Sequence, residues 1–245
     1  MTMISSTAPS ILKIVQTNLQ HKQIAAATLR RVLEADNQTA ALIQEPWIRS
    51  NRICGLNNIG GKLLLNTSIS NPRTCIYMPK NITTTMLNQF CSRDLTAVKI
   101  ITDKQTILVL ASVYMPSEGD VPPRELAELV THCETYSWEL IISADCNAHH
   151  HLWGSKDTNK RGELLTEYLL QTDLNIINIG TEPTFVSSSY QTIIDITLAT
   201  NAAANLISGW HVSQEPSFAD HRRVCFQIEH KQTLPALYRN PQKRT

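Results

Sequence analysis

Short apolar runs, each bounded by polar or turn-forming residues, follow one another along most of the chain. Runs of this length that are rich in β-branched residues predict buried β-strands. A paired pattern about the polar turn Asp103-Lys104 predicts a β-hairpin over residues 96–116, and residues 184–188 and 192–200 are expected to form another pair. The remaining predicted strands lie at residues 11–19, 39–47, 61–66, 73–80, 139–147, 174–180 and 221–230.

Three segments with apolar residues at helical spacing interrupt the strands, at residues 21–36, 123–136 and 161–173. Pro122-Pro123 opens the second, because proline fits the first turn of a helix, where its missing N–H would be unpaired anyway. The third is predicted to be amphipathic. The apolar side chains at helical spacing are Ile24, Leu29, Val32 and Leu33 in the first helix, and Leu164, Leu165, Tyr168 and Leu169 in the third.

Predicted strands outnumber predicted helices, and the helices fall between pairs of strands. This order favours a layered α/β domain in which two β-sheets pack face to face and helices cover the outside. We expect residues 1–10, which are small and polar, to be disordered, and residues 11–230 to form the domain. Residues 231–245 contain prolines, polar residues and four basic side chains, and are predicted to be a linker to a following module.

The composition narrows the possible functions. A hydrophobic content of 42% in 245 residues supports a sizeable core, and a net charge of +1 disfavours a uniformly basic DNA-coating protein. The six cysteines show no C-x-x-C spacing, and the N-terminus has neither the basic nor the apolar part of a signal peptide. No apolar stretch approaches the roughly 20 residues that span a bilayer. We therefore expect an intracellular protein with reduced thiols and no membrane contact.

Acids and amides recur where predicted strands end. Asn18, Glu45 and Asp195 each lie at the end of an apolar run, and the run at residues 139–147 delivers both Asp145 and Asn147. A further pair, Asp220-His221, immediately precedes the last predicted strand. One acid at a strand end is usually only solvated, but several of them on the rim of a sandwich suggest a ligand site.

Two kinds of metal chemistry compete for these residues. Three consecutive histidines, His149 to His151, suggest zinc, but adjacent residues point in different directions and no partner motif such as H-x-x-x-H is present. Oxygen ligands favour Mg²⁺, which Glu45 and Asn18 could hold. A structural role for His149 or His150, packed under the loop that follows Asp145, is preferred over the alternative that one of them contacts DNA.

Phosphodiester cleavage needs a positioned water, a base for that water and stabilisation of the developing charge. Asp145 and Asn147 could position the water, with Asn147 donating a hydrogen bond to a phosphoryl oxygen. His221 could contact the phosphate while Asp195 holds its ring in one orientation, since a carboxylate partner fixes the tautomer and favours the imidazolium.

The motifs resemble a known family when they are taken together and in order. They are Asn18, "QEP" at Glu45, "SVYMP" at Tyr114, "ADCNAHH" at Asp145 and Asn147, "PTF" at Thr184, "IID" at Asp195 and "ADH" at Asp220-His221. This set resembles the exonuclease–endonuclease–phosphatase superfamily, and more narrowly the apurinic/apyrimidinic-endonuclease-like domain of non-LTR retrotransposons. "DCNAHHHLWG", followed by Arg161-Gly162, is most similar to insect elements that insert into telomeric repeats.

The resemblance implies a four-layered α/β sandwich with two mixed sheets and a metal-dependent endonuclease that nicks double-stranded DNA. Mg²⁺ would be the cofactor, with Mn²⁺ as an alternative ion. The nick would leave a 3′-hydroxyl that primes a reverse transcriptase module in the same polypeptide. The resemblance also leads us to expect a monomeric domain, a nuclear location and telomeric repeats as the target.

The resemblance also assigns roles by position. Glu45 would be the main metal ligand with Asn18 beside it, and Tyr114 would touch the scissile phosphate. Asp145 would activate the water, Asn147 would stabilise the transition state, and Asp195 would orient His221. Asp220 would support the metal or the leaving group. The family usually has serine before the Asp-His pair, whereas this chain has Ala219, which puts the positioning of Asp220 in doubt.

DNA contacts are expected on the predicted hairpin at residues 184–193 and on nearby basic side chains. The candidate contact residues are Thr184, Ser188, Tyr190, Arg161 and Arg222. The same chemistry leaves alternatives open, namely an abasic-site repair nuclease, a phosphatase acting on small phosphate esters, or a DNA-binding module without catalysis. An abasic-site enzyme needs a pocket for a flipped sugar, and no apolar wedge residues for such a pocket are evident.

Overall fold

A computed structural model describes residues 10–101 and 106–230. Three predicted segments lie outside the described residues. They are the disordered N-terminus up to residue 9, the turn Asp103-Lys104 and the linker at residues 231–245. The elements in chain order are β1 (Ser10–Asn18), α1 (Gln23–Ala35), β2 (Thr39–Gln44), β3 (Ile48–Arg49), β4 (Arg52–Ile53), β5 (Lys62–Leu64), β6 (Thr74–Met78), β7 (Thr84–Met86), β8 (Leu95–Ile101), β9 (Ile107–Tyr114), α2 (Arg124–Thr135), β10 (Glu139–Asp145), α3 (Lys160–Leu169), β11 (Leu174–Ile176), β12 (Phe185–Val186), β13 (Gln191–Thr192), β14 (Asp195–Thr200), α4 (Asn201–Ala204), β15 (Ile207–Val212) and β16 (Val224–His230).

Two six-stranded mixed sheets form the centre of the domain. The first has the strand order β15-β16-β1-β2-β6-β5 and the second has the order β11-β14-β10-β9-β8-β7. Each sheet contains one parallel pair at its middle, β1 with β2 and β9 with β10, and its other neighbours are antiparallel. The two sheets therefore place the carboxyl ends of their central strands at one edge of the domain.

Three apolar clusters separate four layers. Helix α1 packs on the outer face of the first sheet, and α2 and α3 pack on the outer face of the second. The third cluster lies between the sheets and includes Ile14, Leu42, Ile76, Leu110 and Ile141. The predicted four-layered α/β sandwich is confirmed.

Burial on both faces explains why the central strands are almost continuously apolar. On β2, Ala40 and Leu42 face the other sheet while Ala41 and Ile43 face α1, as the two-residue period of a strand requires. Such a strand has no polar face. Its sequence therefore shows an apolar run rather than an alternating pattern.

A short row of polar groups crosses the otherwise apolar space between the sheets. The Gln16 amide donates to the Ala144 carbonyl at 3.1 Å and accepts from the Thr197 hydroxyl at 3.1 Å. Gln44 donates to the Ser112 hydroxyl at 3.0 Å and to the Ser143 carbonyl at 3.1 Å. These buried bonds are directional, so they fix the position of one sheet against the other, next to the carboxyl ends of β1, β2 and β10.

Some local expectations were wrong. Of residues 184–188, only Phe185 and Val186 form a strand, and they pair with the short β13, which shares only Thr192 with the predicted partner strand. The rest of that partner, β14, lies between β10 and β11 in the second sheet. Leu164 is 39% exposed, because α3 turns Leu165 and Leu169 towards the sheet instead. Strands β7 and β15 were not anticipated. No helix among the described residues is long and apolar enough to cross a membrane.

We expect Gln16→Leu to lower the free energy of unfolding by about 1–3 kcal/mol, because it leaves the buried Ala144 carbonyl and Thr197 hydroxyl without this partner. Urea unfolding followed by tryptophan fluorescence measures the change. Gln171→Leu, at an exposed position on the protein surface, is the matched control and should change stability by less than about 0.5 kcal/mol. Equal effects of the two variants would contradict the role assigned to Gln16.

Candidate active site

The predicted site residues meet at the edge where the central strands of both sheets end. Tyr114, Asp145 and Asp195 lie side by side in register across β9, β10 and β14. Asn18 is the last residue of β1, and Glu45 directly follows β2. The site therefore has one row of residues from each sheet, and the docking of the sheets brings the rows together.

A polar cavity of about 330 Å³ opens between these rows. It is too small to enclose a nucleotide chain, and it suits a single phosphate group at the surface. Its lining residues are Asn18, Gln20, Glu45, Tyr114, Asp145, Asn147, His149, Phe185, Tyr190, Thr192, Ile194 and His221.

A buried ion pair forms the floor of the site. The Nδ1 atom of His221 lies 2.9 Å and 3.1 Å from the two carboxylate oxygens of Asp195, and both residues are almost fully buried. Burial opposes the charge on the imidazole, but Asp195, together with Asp145 and Glu45, raises the pKa of His221 to about 9. His221 is therefore an imidazolium at neutral pH, with its Nε2–H directed away from Asp195.

Asp145 lies on the other side of this histidine. Its Oδ2 atom accepts a hydrogen bond from the Asn18 amide at 2.8 Å and lies 3.8 Å from Nε2 of His221, while Oδ1 accepts from the backbone N–H of Asn147. Burial raises the pKa of Asp145 to about 7, against the opposing effect of His221. A carboxyl group of this kind is suited to take a proton near neutral pH.

Asn147 and Tyr114 form one wall of the cavity. Asn147 has φ of 46°, an uncommon conformation for a residue other than glycine, and its amide donates to the Met115 carbonyl at 3.1 Å. Burial, followed by the charge of Glu45, raises the pKa of Tyr114 to about 12. The phenol therefore remains a hydrogen-bond donor, and the guanidinium of Arg73 lies over its ring at 4.6 Å.

Glu45 faces the cavity with little protein contact. Its backbone has φ of 44°, and its N–H donates to the Arg73 carbonyl at 2.7 Å. Its carboxylate lies 3.7 Å from Nε2 of His21 and makes no hydrogen bond shorter than 3.5 Å among the described residues. These carboxylate oxygens are available to a ligand.

The donor set of the cavity fits a hard cation. Three carboxylates, those of Glu45, Asp145 and Asp195, surround one imidazolium, so the ionised group carries excess negative charge that a divalent cation would balance. Asp145, Asp195 and His221 also present ligand atoms within 4.8 Å of one another. The hydrogen bond between His221 and Asp195 already explains that spacing, and an imidazolium cannot ligate a metal, so Glu45 is the better ligand.

The carboxylate of Asp220 is bound by the β1–α1 loop. Its carboxylate accepts from Gln20 at 3.2 Å and pairs with Lys22 at 3.2 Å, and its backbone N–H donates to Gln20 at 2.8 Å. The Gln20 hydrogen bond, and after it the contact with Lys22, lowers the pKa of Asp220. Ala219 packs with the α1 cluster. Asp220 is thus held by the β1–α1 loop, whose Gln20 lines the cavity, and its role in supporting the metal or the leaving group stays a prediction.

Two residues predicted to contact DNA have structural partners within the protein. Thr184 is fully buried, and its hydroxyl accepts from the backbone N–H groups of Ile194 and Asp195, so it holds the start of β14 in place. Arg161 donates to the carbonyls of Cys146, Asn147 and Gly119. Its guanidinium therefore holds the loop after Asp145 in place.

The other predicted DNA contacts lie at the surface. Tyr190 is 45% exposed at the tip of the β12–β13 hairpin and lines the cavity, and Ser188 is exposed at the same tip. Arg222 forms a salt bridge with Glu182. Sequence reasoning missed the contact of Tyr190 with His149, whose rings stack at 6.0 Å, because nothing in the sequence indicates that these segments meet.

The glycine that follows Arg161, Gly162, is required by a close backbone contact. A Cβ atom at this position would lie 1.9 Å from the His149 carbonyl oxygen, so the first turn of α3 approaches the histidine loop more closely than any side chain permits. Arg161 and Gly162 together connect α3 to the loop that carries Asn147. This physical link accounts for the "RG" that accompanies "DCNAHHHLWG".

A family model described as endonuclease-reverse transcriptase matches residues 108–225 of the chain. This range includes Tyr114, Asp145, Asn147, Asp195 and His221. No curated protein sequence matches the chain.

Solved structures give the fuller comparison. The endonuclease domain of TRAS1, a telomere-specific non-LTR retrotransposon, is similar with a TM-score of 0.76 and 25% identity over 90% of this chain and 100% of its own. AP endonuclease from Leishmania major has a TM-score of 0.72 at 14% identity, covering 94% and 91%. An AP endonuclease from Archaeoglobus fulgidus has a TM-score of 0.65 at 12% identity, covering 89% and 99%. The predicted resemblance to the AP-endonuclease-like domains of non-LTR retrotransposons is confirmed.

We expect Gly162→Ala to lower the free energy of unfolding by about 1–3 kcal/mol, because the added methyl group displaces the His149 backbone. Helix propensity alone predicts the opposite sign, since alanine is favoured over glycine within a helix by about 1 kcal/mol. Urea unfolding measures the change. Gly119→Ala is the control, because its Cβ atom would meet nothing closer than 3.5 Å. An alanine variant at 162 that is more stable than the native chain would contradict the close approach.

Proposed function

We propose that this domain is a Mg²⁺-dependent endonuclease that nicks one strand of double-stranded DNA and leaves a 3′-hydroxyl for reverse transcription. The observation that carries the proposal is the buried series Asp195–His221–Asp145–Asn18, which opens on a cavity that also contains Glu45. The similarity to the TRAS1 endonuclease domain supports DNA as the substrate.

Each side chain in the cavity has a separate role in the proposed reaction. Asp145 takes a proton from the attacking water, and Asn18 and the Asn147 N–H hold its carboxylate in position. Nε2 of His221 donates to a phosphoryl oxygen and so stabilises the negative charge that develops there. Asn147 donates to the Met115 carbonyl and hydrogen-bonds with Tyr114, so the two side chains form one wall that faces the phosphate. Tyr114 donates from the wall of the cavity.

Glu45, with Asn18 beside it, would hold the metal. When bound, Mg²⁺ neutralises charge on the scissile phosphate and the leaving oxygen. The cavity lining contains no lysine or arginine among the described residues, so a small and highly charged phosphate ester would find few protein cations there. This disfavours the phosphatase alternative relative to a diester with a single charge.

The setting of the reaction follows from the retrotransposon resemblance. The domain acts on DNA in the nucleus, as a monomer, and precedes a reverse transcriptase module in the same polypeptide. Tyr190 and Ser188, at the tip of the β12–β13 hairpin, contact the DNA next to the cavity. The target is a telomeric repeat, as in the TRAS1 element to which the chain is similar.

We expect the domain to convert supercoiled plasmid to open circles only when Mg²⁺ is present. Asp145→Asn and His221→Ala should each lower the nicking rate by about 10²–10⁴-fold, because each removes a proton-transfer or charge-stabilising group. Gel electrophoresis over a time course measures the rate. Asp36→Asn, at a surface carboxylate that pairs with Lys13 outside the cavity, is the control and should nick like the native chain.

Mapping the nicks separates the related activities. Enrichment in telomeric repeats over a scrambled insert supports the retrotransposon target, and the 3′ ends should be extended by a DNA polymerase without further treatment. Cleavage only of a duplex that contains an abasic site would favour repair. If neither the native chain nor the variants nick the plasmid, the proposed endonuclease function is wrong.

We expect Glu45→Gln to raise the Mg²⁺ concentration for half-maximal nicking by about tenfold or more, because a neutral amide is a weaker ligand than a carboxylate. The increase in melting temperature that Mg²⁺ gives the native chain should shrink in parallel. Glu128→Gln, at an exposed position on α2, should leave both measurements unchanged. If Mg²⁺ raises the melting temperature of Glu45→Gln as much as that of the native chain, the metal does not bind at Glu45.

A further inference from the structure

Phe218 combines two features that a core aromatic residue does not show. Its side chain is 53% exposed, and its backbone has φ of 61°, in the left-handed region. A bulky residue rarely adopts this conformation, which costs free energy that glycine would avoid. Phe218 also belongs to none of the apolar clusters formed by the described residues. Neither packing nor backbone preference explains a phenylalanine here.

The backbone on both sides of Phe218 is firmly held. The buried Ser217 hydroxyl donates to the Ala219 carbonyl at 3.0 Å and accepts from the Ala219 N–H at 3.2 Å, which closes a tight turn around Phe218. Asp220 then bonds to Gln20 through its N–H and to the β12–β13 hairpin through its carbonyl, which accepts from Val186 at 2.7 Å. The turn therefore presents the ring of Phe218 at a fixed place on the surface.

Phe218 lies close to His221, the side chain proposed to contact the scissile phosphate. Phe218 precedes His221 by three residues, so their Cα atoms lie within about 11 Å of each other. Since successive nucleotides of a duplex rise about 3.4 Å, this distance corresponds to roughly three base-pair steps. A duplex whose phosphate contacts His221 thus has bases or sugars within reach of the Phe218 ring.

We propose that Phe218 is a DNA-contacting residue whose ring packs against a base or deoxyribose beside the scissile phosphate, held there by the strained Ser217–Ala219 turn. This inference rests on the proposed nuclease function. A nucleobase offers a flat apolar face to an aromatic ring, and such stacking contributes to binding without requiring a particular base. Lys22, which pairs with Asp220, provides a positive charge near the same turn for the DNA backbone.

Two truncations and one replacement test the proposal. Phe218→Ala and Phe218→Gly both remove the ring, and each should weaken binding to a fluorescent duplex about tenfold in anisotropy measurements without Mg²⁺. Phe218→Trp keeps an aromatic face and should bind within about twofold of the native chain. Phe218→Gly should also unfold at a higher urea concentration than Phe218→Ala, because only glycine relieves the left-handed backbone. Loss of binding in the more stable variant cannot result from poor folding.

Matched controls come from the end of α2, outside the cavity. Tyr136→Ala removes a ring that is 60% exposed, and Ser137→Gly relieves a backbone φ of 53°, and both should bind DNA like the native chain. Native affinity in Phe218→Ala and Phe218→Gly would overturn the proposal, as would Phe218→Trp binding no better than alanine. Because the binding measurement needs no metal, it decides the role of Phe218 even if the native chain fails to nick plasmid.

Discussion

The contact between an imidazolium and two buried carboxylates is the interaction on which the rest of the site depends. Removing ions from water is costly unless they are paired and hydrogen-bonded. Here Asp195 and Asp145 flank His221, Asn18 supports Asp145, and the backbone of Asp195 is held by the Thr184 hydroxyl. Asp145 and Asp195 belong to the second sheet and Asn18 to the first, so the site requires the sheets to dock in one position.

The sequence predicted the parts of this arrangement that follow from strand geometry. Polar residues at the ends of apolar runs lie on one edge whenever the runs become parallel central strands, and Asn18, Glu45 and Asp145 do so. Asp195 reaches the same edge as the first residue of the antiparallel strand β14. What it could not predict was the direction of side chains in irregular segments. Thr184 faces inward onto backbone N–H groups, which a strand-end position alone does not indicate. Leu164 is next to the buried Leu165 in the sequence of α3, yet its side chain lies on the solvent side of the helix.

Backbone conformations of high energy recur around the cavity. Glu45 and Asn147 both have positive φ, and each such residue costs on the order of 1–3 kcal/mol. The bond from Glu45 to the Arg73 carbonyl and the bonds from Arg161 to the loop carbonyls offset these costs. With these backbone conformations, the side chains of Glu45 and Asn147 line the cavity. Arg161, through its bonds to the loop carbonyls, therefore matters to the geometry of the cavity.

The pairing of Asn18 with Asp145 spans 127 positions in the chain, and His221 lies 26 residues beyond its partner Asp195. The first sheet also places β16 next to β1, so the last strand of the domain pairs with the first. During synthesis on the ribosome, any part of the chain that emerges before residue 221 lacks His221, the partner of Asp195. A nascent or prematurely terminated polypeptide that ends before residue 221 therefore holds an incomplete site, and the residues of the proposed nuclease site come together only when the domain has been synthesised almost to its end.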